Sequence, residues 1–294
     1  MGVAEVINQS NTPVSIEVRK FDPQATQNAP KYFHGNDPFK SHFMNALSIL
    51  FPEGERFFIR SVLAYRGQIS DPKLLSEIKE FCAQEAQHTL VHEAMNDLAA
   101  RHGYPVEKLE SWVRRDLRRF SKRGKTSPWA RRAALAMTVC MEHFTAILAY
   151  QVLTDSEVTA KGLDPSVKAL FEWHALEETE HKGVAFDVYQ ATNGSAFFLR
   201  FAMLWATFFF LLGLFVNLTV LLFKDGSIGK WSTWKTGIQF VFGPRHGFLV
   251  RPFKDWLAFF KPGFHPWKQH KDLDINSNTQ SIGAYLVPAV SLKR

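Results

Sequence analysis

Apolar positions recur at three- and four-residue spacing through residues 38–190, and alternating β-branched runs are scarce there. This period is typical of helices that bury one face. Two helix starts are marked by aspartate followed by proline, at Asp71-Pro72 and Asp164-Pro165, because aspartate caps a helix and proline fits its first turn. The minimal interpretation is four long helices, over about residues 41–67, 72–101, 127–153 and 165–190. We therefore predict an all-α fold.

The segments on either side of these helices follow other patterns. Residues 1–37 are polar, contain prolines and show no sustained period, so we expect an irregular arm. The predicted division of the chain is an arm over 1–37, a helical bundle over 38–195, an apolar segment over 196–223 and a basic, aromatic tail over 224–294. A basic stretch from Arg114 to Lys125 separates the second and third helices. It is interpreted as a solvated connector helix, or as a contact for lipid phosphates or another anionic partner.

The apolar segment over 196–223 is interrupted by Arg200 and Asn217. Residues 201–223 alone are enough to cross about 30 Å of hydrocarbon. A buried core helix is the alternative, but such helices usually keep a polar stripe. We therefore predict a membrane-associating helix. Two full crossings would need a longer segment at about 1.5 Å per residue, so a single span, a re-entrant segment and an interfacial helix stay open.

Composition narrows the class of protein. The chain has 294 residues, of which 46% are hydrophobic, and this excludes disorder. Its two cysteines exclude a small domain held together by disulfides, and they fit an intracellular protein with reduced thiols.

The net charge of +7 belongs to the tail. Residues 224–294 hold 11 Lys and Arg against four Asp, and the rest of the chain is balanced at 24 of each sign. Aromatic residues accompany this charge, since 15 of the 27 phenylalanines lie between Phe197 and Phe264. Aromatic and basic residues beside an apolar run favour an anionic membrane surface over nucleic acid. The predicted lipid contacts are Phe201, Trp205, Phe215, Lys230, Trp231, Trp234 and Lys235.

Two Glu-x-x-His tetrapeptides occupy matching places in two of the predicted helices. Glu85 and His88 share one face of the second helix, and Glu178 and His181 share one face of the fourth. Each glutamate follows its Asp-Pro start by 14 residues. One such tetrapeptide is ordinary on a solvated face, and its repetition at the same spacing makes the pair informative.

A single glutamate precedes each of these helices in the same way. Glu55 and Glu142 each lie upstream of an apolar stretch that ends in Leu-Ala-Tyr, so the chain contains a duplicated helix pair. Packing two such pairs brings four glutamates and two histidines together, the ligand set of ferritin-like proteins with two iron or manganese ions. We predict a ferritin-like four-helix bundle that holds two iron ions, with manganese or zinc as alternatives. The predicted ligands are Glu55, Glu85, His88, Glu142, Glu178 and His181.

Four further polar residues lie near the same faces, namely His92, His174, His143 and Glu177. Each is either an additional metal ligand or a hydrogen-bond partner that orients a ligand. His143 and Glu177 are one position off the ligand face, which favours the orienting role. Glu180 points elsewhere, and we expect it to face solvent.

Several of these motifs resemble a known bacterial family. The segments are Phe51-Pro52-Glu53-Gly54-Glu55, Gln84-Glu85-Ala86-Gln87-His88, Glu142-His143-Phe144 and Glu177-Glu178-Thr179-Glu180-His181. In this order, over roughly residues 30–220, the chain is similar to the family named predicted metal-dependent hydrolase. The resemblance implies a ferritin-like fold and a metal centre. The spacing of His92 and His174 is also weakly similar to that of di-iron N-oxygenases.

Three functions follow from the predicted centre. The first is a di-iron oxygenase or oxidase that acts on a lipid-like or other small apolar substrate, with dioxygen and an external electron donor. The second is a two-metal hydrolase of an ester or phosphoryl substrate. The third is a metal-binding bundle without catalysis. Because positive charge prefers the cytoplasmic side, we expect attachment to a bacterial inner membrane with the bundle in the cytoplasm.

Overall fold

The computed structural model describes residues 9–155, 162–271, 273 and 282–287, and these fold mainly into helices. The α-helices are α1 (Pro38–Ser48), α2 (Phe51–Leu63), α3 (Pro72–Arg101), α4 (Val106–Thr126), α5 (Pro128–Thr154), α6 (Pro165–His181), α7 (Val184–Ala191), α8 (Ala196–Asp225), α9 (Trp231–Phe242) and α10 (Phe253–Ala258). This part of the chain contains no strand. The predicted all-α class is confirmed.

The two predicted Asp-Pro starts are helix caps. The side chain of Asp71 accepts a hydrogen bond from the backbone N–H of Lys73 at the start of α3, and that of Asp164 accepts one from Ser166 at the start of α6. Each cap satisfies a backbone donor that the helix itself leaves unpaired. The two halves of the duplication therefore begin their second helices in the same way.

The first and fourth predicted helices are each divided in two. A helix over 41–67 is wrong, because α1 ends at Ser48 and α2 begins at Phe51, where Pro52 occupies the first turn and cannot continue the preceding ladder. A helix over 165–190 is also wrong, because α6 and α7 are separated at Gly183. A Cβ at Gly183 would lie 2.4 Å from the indole nitrogen of Trp267, so glycine gives that ring its place.

Four helices surround the faces that carry the predicted ligands. Helix α2 packs against α3, and α5 packs against α6. The two pairs meet through contacts of α2 with α5 and of α3 with α6. This packing brings both halves of the duplication to one centre, and the ferritin-like arrangement itself stays a prediction.

The arm and the connector lie outside this centre. Residues 9–37 form no helix, as expected, but Phe21 and Phe33 are buried, so the arm is packed against the bundle. The basic stretch forms the second half of α4, where Arg115, Arg118 and Arg119 are exposed. This matches a solvated connector helix.

In the part of the chain that the structure describes, two helices, α5 and α8, are long and apolar enough to cross a membrane by length and composition. Helix α5 is mostly buried inside the protein, as its place in the centre requires. Helix α8 packs one face on α1 and α5 and exposes the other. Its exposed side chains include Phe201, Leu204, Trp205, Phe208, Phe209 and Leu212.

The predicted lipid contacts divide by exposure. Phe201, Trp205 and Trp231 are exposed, as are Lys230 and Lys235. Phe215 is half-buried on α8. Trp234 is also half-buried, since its ring packs edge-on against Phe39 and its N–H donates to the backbone oxygen of Ile228 at 2.6 Å.

Candidate metal centre

The carboxylate of Glu178 lies between two groups of ligand atoms. Its Oε1 atom is 2.9 Å from Nε2 of His174 and 3.6 Å from Nδ1 of His88. Its Oε2 atom is 3.3 Å from Nε2 of His181, one turn further along α6. A carboxylate in this position can contact two cations at once.

Among the described residues, two sets of three side chains bring ligand atoms within 4.8 Å of one another. The first group is Glu55, His88 and His174, and the second group is Glu85, Glu178 and His181. Glu142 adjoins the second group, with its Oε2 atom 3.4 Å from Nε2 of His181. The structure therefore brings together all six predicted ligands and adds His174 to them.

Many of these ligand atoms are buried without a hydrogen-bond partner. Among the described residues, the unpartnered atoms are both carboxylate oxygens of Glu55, Glu85 and Glu142, together with Oε2 of Glu178, Nδ1 of His88 and Nε2 of His181. Burying polar atoms unpaired is costly. Cations at the two groups would satisfy these atoms, so the residues present fit a pair of metal ions.

The carboxylates also have altered proton affinities. Burial raises the pKa of Glu55 and Glu85 well above the ordinary glutamate value, and the charges of neighbouring carboxylates raise it further. Burial and the charge of Glu178 raise the pKa of Glu142 to about 7. In the metal-free protein, protons compete for these oxygens, and cation binding is expected to release them.

Two ligand histidines are each held by their other ring nitrogen. Nε2 of His88 lies 3.1 Å from Oε2 of Glu177, which leaves Nδ1 toward the first group. Nδ1 of His181 lies 2.8 Å from Oε1 of Gln84, which leaves Nε2 toward the second. Such a bond sets the tautomer, because the N–H donates to the oxygen and the other nitrogen keeps its lone pair for a metal.

Arg19 of the arm connects these two supports. Its backbone N–H donates to Oε1 of Glu177 at 2.7 Å, and its guanidinium donates to Oε1 of Glu180 at 2.8 Å. The other oxygen of Glu180 accepts from Nε2 of Gln84 at 3.0 Å. Glu180 is only 2% exposed, so the expectation that it faces solvent is wrong, because the arm covers that side of α6.

His92 lies behind His174. Its Nε2 atom is 2.6 Å from Nδ1 of His174, and its Nδ1 atom is 2.9 Å from Oγ of Ser48. The same hydroxyl donates to Oδ1 of Asn96 at 2.8 Å. Of the two additional histidines, His174 therefore belongs to the first group, and His92 orients it.

His143 points away from the centre. Its Nε2 atom lies 3.2 Å from the backbone oxygen of Asp255, and its ring packs against Phe259 and Phe264. It is buried but supports the C-terminal segment instead of a ligand. Arg19, Gln84 and Ser48 support the centre, but the sequence analysis gave them no role there, although Gln84 belongs to one of the family motifs.

The fold and the centre define a helical metal-binding protein. Residues 17–270 match the family described as predicted metal-dependent hydrolase, and the chain belongs to that family. No curated protein and no solved structure matches the chain.

Membership in this family overturns the main functional expectation. A di-iron oxygenase or oxidase is wrong as the first choice, and the hydrolase alternative is favoured. The ligand set does not distinguish an oxygenase from a hydrolase, because carboxylates and imidazoles hold redox-inert ions as well as iron. Dioxygen and an electron donor were expected only for the oxygenase and have no part in hydrolysis.

Proposed function

We propose that the protein is a two-metal hydrolase whose catalytic centre is the pair of groups joined by Glu178. The observation that carries this proposal is the set of buried, unpartnered ligand atoms. Family membership supports the hydrolytic reaction. The proposed ligands are Glu55, Glu85, His88, Glu142, His174, Glu178 and His181, on a ferritin-like bundle formed by residues 38–195.

The nitrogen and carboxylate donors suit zinc, manganese or iron(II). When bound, two such ions supply a water of lowered pKa and an electrophile for the substrate oxygen. The chain holds the ligand rings in place through Glu177 and Gln84, and it keeps bulk water out by burying the centre.

The test is hydrolysis without oxygen. Full-length protein is loaded with zinc, manganese or iron(II) and assayed anaerobically on carboxylic esters and phosphoesters. We expect turnover with redox-inert zinc, and loss of turnover in Glu178→Gln. Glu172→Gln is the matched control, because Glu172 lies on the same helix and pairs with Lys168 away from the centre. Two bound metals without hydrolysis of either substrate class would favour the non-catalytic bundle.

We further propose that α8 lies in the plane of a membrane. One face of α8 packs against α1 and α5. Lipid therefore cannot surround this helix on all sides, as lipid surrounds an isolated spanning helix. Its other face exposes a row of aromatic and aliphatic side chains, and exposed lysines follow at Lys230 and Lys235. Such a surface fits the headgroup boundary of anionic lipid. In this proposal residues 196–223 attach the bundle and 224–294 line the cytoplasmic face of a bacterial inner membrane.

Vesicle binding tests the attachment. Protein should sediment with vesicles that contain phosphatidylglycerol, and less so at high salt. Trp205→Glu and Phe208→Glu should each weaken binding by about tenfold or more, because each removes apolar surface from lipid. Leu90→Glu is the control, since Leu90 is equally exposed on α3. Equal binding of all variants would rule out α8 as the attachment face.

A further inference from the structure

A small cavity adjoins the candidate metal centre between α1, α5 and α6, with a volume of about 40 Å³. Its walls are apolar side chains, among them Phe51, Leu148, Ala149 and Phe171. Its polar members are His174 and Glu178 of the centre, and Thr145. The Thr145 hydroxyl donates to the backbone oxygen of Glu142 at 3.1 Å, so its hydrogen is already used. The cavity thus offers an apolar wall on one side and ligand atoms on the other.

Among the residues that the structure describes, the lining contains no lysine or arginine. A charged group that entered the cavity beyond the metal ions would lose its hydration without a basic side chain to compensate it, which is costly. A second cavity differs in this respect, because it contains Lys182 and His270 but none of the proposed ligands. The wall next to the centre therefore favours a neutral, apolar group over a charged one.

Phe51 fixes the end of the cavity nearest the histidines. Its ring centroid is 5.0 Å from that of His174 and 4.6 Å from that of His92. The Phe51 ring packs against both histidine rings, so it forms a wall of fixed position. A group in the cavity would lie between this ring and the α5 side chains Leu148 and Ala149.

We propose that this cavity holds the acyl chain of a neutral carboxylic ester whose carbonyl lies at Glu178 and His174. The inference rests on the proposed hydrolase function and names its substrate class. In the reaction a water oxygen bonds to the carbonyl carbon and the acyl carbon–oxygen bond breaks. One proton of the water passes to the leaving alcohol, and the other is released as the carboxylic acid ionises.

The volume sets the length of the chain. The cavity is small, with a volume of about 40 Å³, so it takes only a short alkyl chain. Esters of short acids such as butanoic acid should fill it. Longer chains should gain nothing further unless the wall is cut back.

The experiment is a chain-length series on the full-length, zinc-loaded protein. With 4-nitrophenyl acetate, propanoate, butanoate, hexanoate and octanoate, kcat/KM should rise about fourfold for each added CH₂ and level off near butanoate. Leu148→Ala should move the plateau to longer chains, and Leu148→Trp should abolish the rise. Leu90→Ala and Leu90→Trp are the controls, because the Leu90 side chain is exposed on α3. Both variants should show the same dependence on chain length as the unmodified protein.

The outcomes separate this inference from the function on which it rests. Hydrolysis of phosphoesters with no acyl-chain preference would overturn the ester inference and leave the hydrolase intact. If no substrate is turned over, the affinity of the protein for the free carboxylic acids tests the role of the cavity. These affinities are measured by calorimetry for the series from acetate to hexanoate. An affinity that rises with chain length, together with loss of that rise in Leu148→Trp, supports the cavity as the acyl site. Equal affinities for all of the acids overturn it.

Discussion

The two halves of the duplication supply the same ligand types, but neither half holds a metal group alone. The first half gives Glu55, Glu85 and His88, and the second gives Glu142, Glu178 and His181. In space, His174 of the second half joins Glu55 and His88, and Glu85 of the first half joins Glu178 and His181. Each group therefore exists only when the halves are packed together.

The two groups also differ in chemistry. The first has two imidazoles and one carboxylate, whereas the second has one imidazole and two carboxylates with Glu142 beside them. His88 is held by the carboxylate of Glu177, and His181 by the neutral amide of Gln84. A carboxylate partner makes a ligand imidazole more basic. Duplicated sequence has thus produced two unequal sites, which we expect to bind metal in two distinguishable steps.

The largest effect should come from the residue that both groups use. Glu178→Gln removes the carboxylate between them, and we expect metal content to fall from about two ions per chain to none after dialysis. Glu172→Gln should keep both. The measurement is elemental analysis of purified protein, and retention of one ion by Glu178→Gln would show that one group stands without it.

Loss of one ion is expected for His174→Asn. This change removes an imidazole from the first group and leaves the second intact, so metal content should fall from about two to one. His143→Asn is the informative control, because His143 is buried on α5 but faces the C-terminal segment. Equal loss in both variants would point to general destabilisation.

A smaller and more selective effect is expected at Arg19. Its side chain reaches Glu180 and so Gln84 and His181. Its hydrogen bond to Glu177 is made by the backbone N–H, which alanine keeps, and its guanidinium is 3.9 Å from the same carboxylate. Arg19→Ala should lower the metal affinity of the second group by about 10- to 100-fold, and that of the first group much less.

Calorimetric titration with metal measures how Arg19→Ala changes the affinity of each binding step. Arg19→Lys should recover part of the affinity, and Lys20→Ala, in the same arm, should change neither step. Uniform weakening of both steps would contradict the selective route through Gln84.

The smallest effect concerns pH in the metal-free protein. Folded Glu142 has a pKa of about 7 against 4.5 for an ordinary glutamate, so between these values the folded state keeps a proton that the unfolded state has lost. The free energy of unfolding should therefore fall as pH rises from about 4.5 to 7, by about 1–3 kcal/mol. Urea unfolding should show a shallower slope for Glu142→Gln, and an unchanged slope would exclude Glu142 as the source.

The repeat spacing predicted the side chains that meet at the centre, because helical periodicity sets which residues share a face. It also predicted both Asp-Pro caps. It did not predict the division at Gly183, where a Cβ would clash with Trp267, a residue far along the chain. Arg19 and Gln84 were missed for a related reason: a hydrogen bond between an irregular arm and a distant helix leaves no period in the sequence. The oxygenase hypothesis failed because ligand identity does not encode the reaction.

The contacts of Arg19 have a consequence for the order of folding. Arg19 and Glu180 are 161 residues apart in sequence, so closing this contact carries a large loop entropy and comes late. During synthesis the arm emerges first and must wait for α6 before it has a partner. Nascent chains truncated before α6 lack His174, Glu178 and His181 as well as this contact, so they should be unable to retain metal. Metal capture then becomes a marker of completed assembly.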